Sequence, residues 1–160
     1  MRSDLHGNGE SASKLVKQAL ADTAVNNANI LIIFGASWCR QCYALDRFIA
    51  KPAVRNILNP YFKIIRIDIF ETNHPQWVNP GGAELYRKYG GDGTVPFWLM
   101  IDNKGHTLAN SIVNNSNIGL NNDPVQINVF LSAVHANAPG ITSASISELR
   151  EQLRHINDDY

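Results

Sequence analysis

The segment GASWCRQCYAL, residues 35–45, contains both cysteines of the chain, Cys39 and Cys42, with two residues between them. The run before it, ILIIF (30–34), is apolar and mostly β-branched, which predicts a strand covered on both faces. Beyond the first cysteine, apolar side chains recur at helical spacing, at Cys42, Leu45, Phe48 and Ile49. The segment therefore predicts a buried strand, a turn and a helix that begins near Cys39.

Three further strands complete the predicted sheet. YFKIIRIDIF (61–70) follows the helix, so the first two strands form a βαβ unit with a parallel pair and a right-handed crossover. PFWLMID (96–102) is the third strand, and HTLANSIV (106–113) returns as its antiparallel partner after the tight turn DNKG (102–105). We therefore expect an α/β fold in which a mixed sheet of about four central strands is flanked by helices.

Helical patterns surround these strands in the sequence. Five residues form the apolar face of an N-terminal helix: Leu15, Val16, Ala19, Leu20 and Thr23. Its N-cap is Ser11 or Ser13, and Pro52 interrupts and restarts the helix that follows the cysteines. A later helix over 125–138 has these among its apolar positions: Val125, Val129, Leu131 and Val134. These helices are expected to cover the two faces of the sheet.

The last helical pattern, SISELREQLRHI (145–156), has Ser145 followed three residues later by Glu148, which predicts a capping box. We divide the chain into a flexible N-terminal arm (1–12), one α/β domain (13–138) and a C-terminal helical extension (139–160). The extension is expected to pack on the same domain.

The amino-acid composition indicates a globular protein and argues against several kinds of partner. The chain has 160 residues, of which 44% are hydrophobic and 18% charged, as in a globular domain. Fourteen basic residues balance fourteen acidic ones, which argues against a nucleic-acid or membrane-surface partner. The longest apolar run is far shorter than the ~20 residues of a membrane span. The N-terminus has no apolar signal-peptide region, although a mature secreted form would look the same.

The position of the cysteine pair favours redox chemistry. The unpaired N–H groups and the dipole at a helix N-terminus stabilise a thiolate at Cys39, which makes this residue the attacking nucleophile. Cys42 lies one turn deeper and can resolve a mixed disulfide. A zinc site would need two more ligands, and the five histidines are scattered: His6, His74, His106, His135 and His155. A buried pair that only packs is the third reading.

Three motifs in order resemble the thioredoxin fold: FGASWCRQC after an apolar strand, IIRIDI as the next strand, and GTVPFWLMIDNKG. The resemblance covers residues 14–136, and FIAKPAVRNILNPYFKIIRIDI is similar to the thioredoxin-like branch often found in bacterial cell envelopes. It implies a thioredoxin-like domain in which Trp38 shields the nucleophile. It also implies a cis bond between Val95 and Pro96, in a loop that faces the cysteines and offers backbone groups to an extended substrate.

The chain departs from the family pattern around its second cysteine. Thioredoxins carry a buried aspartate six residues before the first cysteine, where this chain has Ile33, and the lysine that pairs with it falls at Ile64. Apolar surroundings disfavour a thiolate, so we expect a raised pKa for Cys42 and a slower resolving step. The usual Gly-Pro between the cysteines is Arg40-Gln41, and the Arg40 charge favours a thiolate on the first cysteine. The direction of electron flow therefore stays open.

Topology predicts which segments border the cysteines. Because the carboxyl ends of parallel strands share one edge, three segments should meet there: FETNHPQWVNPGG (70–82), GTVP (93–96) and NNSNIGLNN (114–122). His74 and Trp77 are candidates for contact with a substrate or partner, and the alternative is that Trp77 packs the loop onto the domain. Glu71 is the candidate proton acceptor for Cys42.

These observations predict a thiol–disulfide oxidoreductase that reduces or exchanges protein disulfides through Cys39 and Cys42. It needs no metal or organic cofactor, because the disulfide carries the two electrons. The expected partners are protein thiols and disulfides and a membrane or soluble thiol reductant, with no nucleic acid, no membrane span and a monomeric state. The family branch implies a periplasmic or cell-envelope location, with the cytoplasm as the alternative. Two other functions stay open: a binding or chaperone module with weak redox activity, and an electron relay to one dedicated partner.

Overall fold

Four strands form the central sheet of the computed structural model, which describes residues 8–158. They are β1 (Asn29–Gly35), β2 (Phe62–Asp68), β3 (Phe97–Ile101) and β4 (Thr107–Asn110), in the spatial order β2-β1-β3-β4. β1 and β2 are parallel, whereas β3 pairs antiparallel with β1 and with β4. The mixed four-stranded sheet and the parallel first pair confirm the fold expected from the sequence.

Six α-helices flank the sheet within the described residues. They are α1 (Ala12–Ala24), α2 (Arg40–Ala50), α3 (Pro52–Leu58), α4 (Gly82–Lys88), α5 (Pro124–Asn137) and α6 (Ser143–Arg154). A short 3₁₀ turn, Pro75–Trp77, precedes α4. None of the helices in residues 8–158 is long and apolar enough to cross a membrane.

The two faces of β1 belong to two hydrophobic cores, which explains why this strand is apolar without interruption. Leu31 and Ile33 face a core built with α2, α3, α5 and α6. Ile32 and Phe34 face a second core, built with α1 and α4. Because α2 starts at the end of β1 and packs against the first core, its first turn stands over the edge of the sheet.

The helices near the cysteines follow the sequence pattern. The apolar positions predicted for α2 are all buried: Cys42, Leu45, Phe48 and Ile49. α2 ends at Ala50 with Lys51 as its C-cap, and Pro52 starts α3, since proline is favoured at the first position of a helix. The α1 N-cap is Ser11, whose Oγ accepts a hydrogen bond from Lys14 N at 3.1 Å.

Two predictions for the later helices were wrong. The capping box at Ser145 does not form, because α6 begins one turn earlier, where the Thr142 hydroxyl accepts a hydrogen bond from Ser145 N. Val125 is 62% exposed, because the first turn of α5 extends beyond the core and burial begins at Ile127.

The return strand is shorter than the predicted range 106–113. β4 ends at Asn110, and β5 (Ile112–Val113) instead pairs with β6 (Ser116–Asn117) in a separate hairpin. Asn114 and Asn115 connect them with φ angles of 51° and 64°, the left-handed conformation that asparagine tolerates in tight hairpin turns. The segment read as a continuous loop therefore contains a hairpin.

The two ends of the described chain pack on the domain. Residues 1–7 of the predicted N-terminal arm lie outside the described residues. From Glu10 onward the backbone is bound: Glu10 O accepts from Asn79 Nδ2, and Ala12 N donates to Pro80 O at 2.8 Å. At the other end, Leu149 and Leu153 of α6 are buried in the core that α5 also lines.

Candidate active site

The two cysteines lie at the N-terminus of α2. Cys39 is the N-cap, Cys42 is in the first turn, and a disulfide joins them with 5.2 Å between their Cα atoms. The backbone N–H of Cys42 donates to Sγ of Cys39 at 3.1 Å, so one of the N-terminal amides of the helix points at this sulfur. Cys39 retains 7% exposure and Cys42 has none. An incoming group therefore meets Cys39 first.

The loop before β3 lies directly against the disulfide. Its Val95–Pro96 peptide bond is cis. The carbonyl oxygen of Val95 lies 3.7 Å from Sγ of Cys39. Pro96 is buried and Val95 half-buried, whereas Thr94 is exposed. The loop thus places backbone polar groups beside the sulfur that an incoming group would reach first.

The β5–β6 hairpin fixes this loop through Asn117. The side-chain nitrogen of Asn117 donates to the carbonyl oxygens of Thr94 and Pro96 at 3.1 and 2.9 Å. Asp92 accepts from the Thr94 hydroxyl at 2.6 Å and from Asn117 N at 2.9 Å. These hydrogen bonds, that of the Thr94 hydroxyl above all, lower the pKa of Asp92. The segment 114–122 therefore borders the site by holding the 93–96 loop.

Tyr86 supports the same loop from the core side. Its hydroxyl donates to the carbonyl oxygen of Thr94 at 2.7 Å and accepts from Gly93 N at 2.8 Å. Burial raises the pKa of Tyr86. Its ring leaves no room for a side chain at Gly91, where a Cβ would lie 2.3 Å from a ring carbon. Neither Tyr86 nor Asn117 stood out in the sequence, since an aromatic residue in a helix and an asparagine in a turn are common.

The segment after β2 holds the turn that carries the cysteines. Both carboxylate oxygens of Glu71 bind Ser37, one accepting from its N–H at 2.6 Å and the other from its hydroxyl at 2.5 Å. Trp38 is 55% exposed and its indole N–H donates to Phe70 O at 2.7 Å. Glu71, named from the sequence as a proton acceptor, is thus occupied with the turn that precedes the first cysteine.

The structure also describes the other residues named from the sequence. His74 and Trp77 are half-buried and stack with ring centroids 3.9 Å apart and an angle of 18° between the planes. Arg40 is exposed. Gln41 is half-buried, and its Oε1 atom is shielded from solvent.

A buried ion cluster that was missed in the sequence lies on the face of the sheet that α2 covers. Both oxygens of Asp46 accept from Arg66 Nη1, at 2.6 and 2.7 Å. Arg66 Nη2 lies 3.0 Å from Asp68 Oδ1, at an angle that makes this an ionic contact rather than a hydrogen bond. The signal was present in IIRIDI, where two charged residues share one face of an apolar strand.

Residues 12–103 match a protein-family model described as thioredoxin-like. This range runs from α1 through β3 and includes both cysteines and Pro96. No curated protein matches the chain.

Solved structures with a similar fold include a disulphide isomerase from Xylella fastidiosa Temecula1, which is 25% identical with a TM-score of 0.50 over 62% of this chain and 72% of that chain. The DsbH oxidoreductase is 20% identical, with a TM-score of 0.52 over 96% and 90% of the two chains. A thioredoxin from Thermus thermophilus is 15% identical, with a TM-score of 0.50 over 78% and 85%. At these identities, the last two similarities show the fold alone.

Proposed function

We propose that this chain, which belongs to the thioredoxin-like family, is a thiol–disulfide oxidoreductase that reduces or exchanges the disulfides of proteins. The observation that carries the proposal is the pair at the N-terminus of α2, where Cys42 N donates to Sγ of Cys39 and the Val95 carbonyl lies beside it. The name of the Xylella relative, a disulphide isomerase, supports the same chemistry.

The first step belongs to Cys39. In the reduced protein, the Cys42 N–H and the helix dipole stabilise its thiolate, which is the nucleophile in disulfide exchange. The thiolate attacks one sulfur of a substrate disulfide, so that a mixed disulfide forms and the other substrate sulfur leaves as a thiolate.

The second step belongs to Cys42. Its sulfur attacks Sγ of Cys39, the bond to the substrate breaks, and the substrate leaves as a second thiolate. The protein is then oxidised by two electrons, as the Cys39–Cys42 disulfide, and a thiol reductant restores it. Because the disulfide carries both electrons, the proposed reaction needs no metal and no organic cofactor.

The edge around the cysteines suggests how a substrate is held. Trp38 is exposed beside Cys39, and the Val95–Pro96 loop offers backbone groups to an extended chain. Arg40 and Gln41 lie between the cysteines, and the stacked pair His74–Trp77 lies on the loop after β2. We assign these residues to substrate or partner contact.

We further propose that the protein acts as a monomer in the periplasm or cell envelope. Its reductant is a membrane-bound or soluble thiol. The resemblance of residues 48–69 to envelope members of the family supports the location. Cell fractionation with an antibody against the chain tests it, and recovery with cytoplasmic markers would favour the cytoplasm.

Reduction of insulin disulfides by the protein with a thiol reductant tests the activity. We expect turnover above the reductant alone, with Cys39→Ser and Cys42→Ser each at the background rate. Turnover that survives in both variants would contradict the proposal. Binding of unfolded chains without turnover would favour a chaperone-like module, and a single abundant partner trapped on Cys42→Ser would favour a dedicated relay.

A further inference from the structure

Three charged side chains lie in the core beside the cysteine pair and have no part in the two steps above. The side chains of Asp46, Arg66 and Asp68 are 1%, 2% and 0% exposed. They are the charged residues that are buried within residues 8–158. Burial of charge is costly unless it is compensated, so their presence calls for a reason.

The parallel register of β1 and β2 places two of them under the turn that carries the cysteines. Arg66 pairs with Ile33, and Asp68 pairs with Gly35, so all four side-chain positions lie on one face of the sheet. The Arg66 guanidinium packs against Gly35, where a Cβ would lie 2.6 Å from Nη2. Gly35 is both the end of β1 and the start of the turn to Cys39.

Asp46 approaches the same space from the helix. It follows Cys42 by four residues on α2, and positions i and i+4 share one helix face with Cβ atoms about 5–6 Å apart. Both residues are buried. The cluster therefore extends from the turn before Cys39 to the helical turn after Cys42.

Within residues 8–158, these three are the buried charges; α2 also carries Arg40, which is exposed, and Arg47, which is half-buried. β2 provides Arg66 and Asp68, and α2 provides Asp46. β1 provides Ile33, and the buried residues of α5 are apolar. Two carboxylates and one guanidinium carry one net negative charge, which a single proton would neutralise.

We propose that the Asp46–Arg66–Asp68 cluster accepts the thiol proton of Cys42 when this cysteine resolves a mixed disulfide, with Asp46 as the member nearest to it along α2. The inference rests on the proposed function. It gives the chain a buried acid–base group in place of the aspartate and lysine whose positions are occupied by Ile33 and Ile64.

The charge balance of this step supports the assignment. As Cys42 loses its proton, its sulfur becomes negative while the cluster becomes neutral, so the total buried charge does not change. The sulfur then attacks Sγ of Cys39, the substrate sulfur leaves with the negative charge into solvent, and the two electrons pass to the substrate. The cluster finally returns its proton to solvent.

The two steps can be timed separately with the fully reduced protein and one equivalent of dithiobis(nitrobenzoate), which releases a coloured thiolate in each. The first release reports attack by Cys39 and the second reports resolution by Cys42. We expect Asp46→Asn to slow the second release by about a hundredfold at pH 6, within the range of general base catalysis. The difference between the variant and the wild type should narrow as the pH rises above the free-thiol pKa of about 8.5, because hydroxide then removes the proton from the buried thiol.

Two further variants sharpen the test. Asp68→Asn keeps the bidentate Asp46–Arg66 pair but makes the cluster neutral, so it should also slow the second release. Asp102→Asn makes the same chemical change at the far end of β3 and should leave both releases as in the wild type. Circular dichroism and thermal melts establish which variants fold. If Asp46→Asn does not fold, the rate of the second release in Asp68→Asn tests the proposal.

The outcomes separate this inference from the proposed function. Folded Asp46→Asn and Asp68→Asn proteins with a wild-type second release at pH 6 would overturn the cluster's role. The wild type provides a test without any substitution. If the rate of its second release falls tenfold for each pH unit below pH 8, hydroxide removes the proton and the cluster does not. A wild type that releases no thiolate through Cys39 contradicts the proposed function instead.

Discussion

Gly35 is the single residue at which β1, the cysteine turn and the buried cluster meet. Its carbonyl oxygen accepts a hydrogen bond at 2.9 Å from the N–H of Ile69, the residue directly after β2. The need for glycine here comes from close approach, since a Cβ would lie 2.6 Å from Arg66 Nη2 and 2.8 Å from Cζ. The guanidinium is buried and held by Asp46, so it cannot swing aside as an exposed side chain would.

We expect Gly35→Ala to lower the free energy of unfolding by about 1–3 kcal/mol, the usual range for overpacking. Urea denaturation measures the change. The double variant Gly35→Ala, Arg66→Ala should be more stable than the sum of the two single losses predicts, because removal of the guanidinium removes the clash. Strictly additive losses would show that the contact is not what requires glycine.

The site also depends on the hydrogen bonds between Glu71 and Ser37. We expect Ser37→Ala and Glu71→Ala each to slow attack by Cys39 on dithiobis(nitrobenzoate), because the turn before the cysteine loses its anchor. Their coupling in a double-mutant cycle of urea denaturation should be about 1 kcal/mol, as for a partly exposed hydrogen bond to a charged group. A coupling of zero would mean that the turn holds its shape without this contact.

At the scale of elements, the β5–β6 hairpin acts as the support of the Pro96 loop. The contact passes through Asp92, whose ordinary pKa of 3.8 is lowered by hydrogen bonds from Thr94 and Asn117. A lowered pKa means that the ionised carboxylate favours the folded state. This contribution is present above about pH 3.8 and is lost as pH falls through the lowered value.

Amide hydrogen exchange measured by NMR tests this dependence. The N–H groups of Thr94 and Asn117 should lose protection at pH 3 relative to pH 5, once intrinsic exchange rates are taken into account, while amides of β1 should not. In Asp92→Asn the protection of the two amides should no longer depend on pH in this range. Equal protection of Thr94 and Asn117 at both pH values in the wild type would contradict the role of Asp92.

The sequence predicted the strands and helices that are decided by neighbouring residues. It missed the features that depend on contacts between distant segments of the chain. β1 and α2 follow from the run 30–34 and from helical spacing after Cys39, both of which are decided by neighbours in the chain. The α6 start at Thr142 was missed because two capping patterns overlap there. In the buried cluster, Asp46 of α2 and Arg66 of β2 are twenty residues apart in the chain, so no local sequence pattern predicts that they meet.

For the whole molecule, α6 is an integral part of the core rather than an appendage. Leu149 and Leu153 are fully buried in the hydrophobic core that includes Phe130 of α5 and Ile33 of β1. We expect Leu153→Ala to lower the free energy of unfolding by about 2–5 kcal/mol, from lost burial and the cavity left behind. Leu108→Ala, at an exposed position of β4, is the control and should change the free energy much less. Similar losses in the two variants would place α6 outside the cooperative core.

We propose that the two cysteines have different roles, which are fixed by their burial and by the N-terminus of α2. The most direct test incubates the reduced Cys42→Ser and Cys39→Ser variants with a disulfide-bonded protein substrate and measures intact masses. We predict a stable mixed disulfide on Cys39 in Cys42→Ser and none in Cys39→Ser, because the remaining Cys42 is buried. Equal trapping by both variants, or trapping by Cys39→Ser alone, would contradict it.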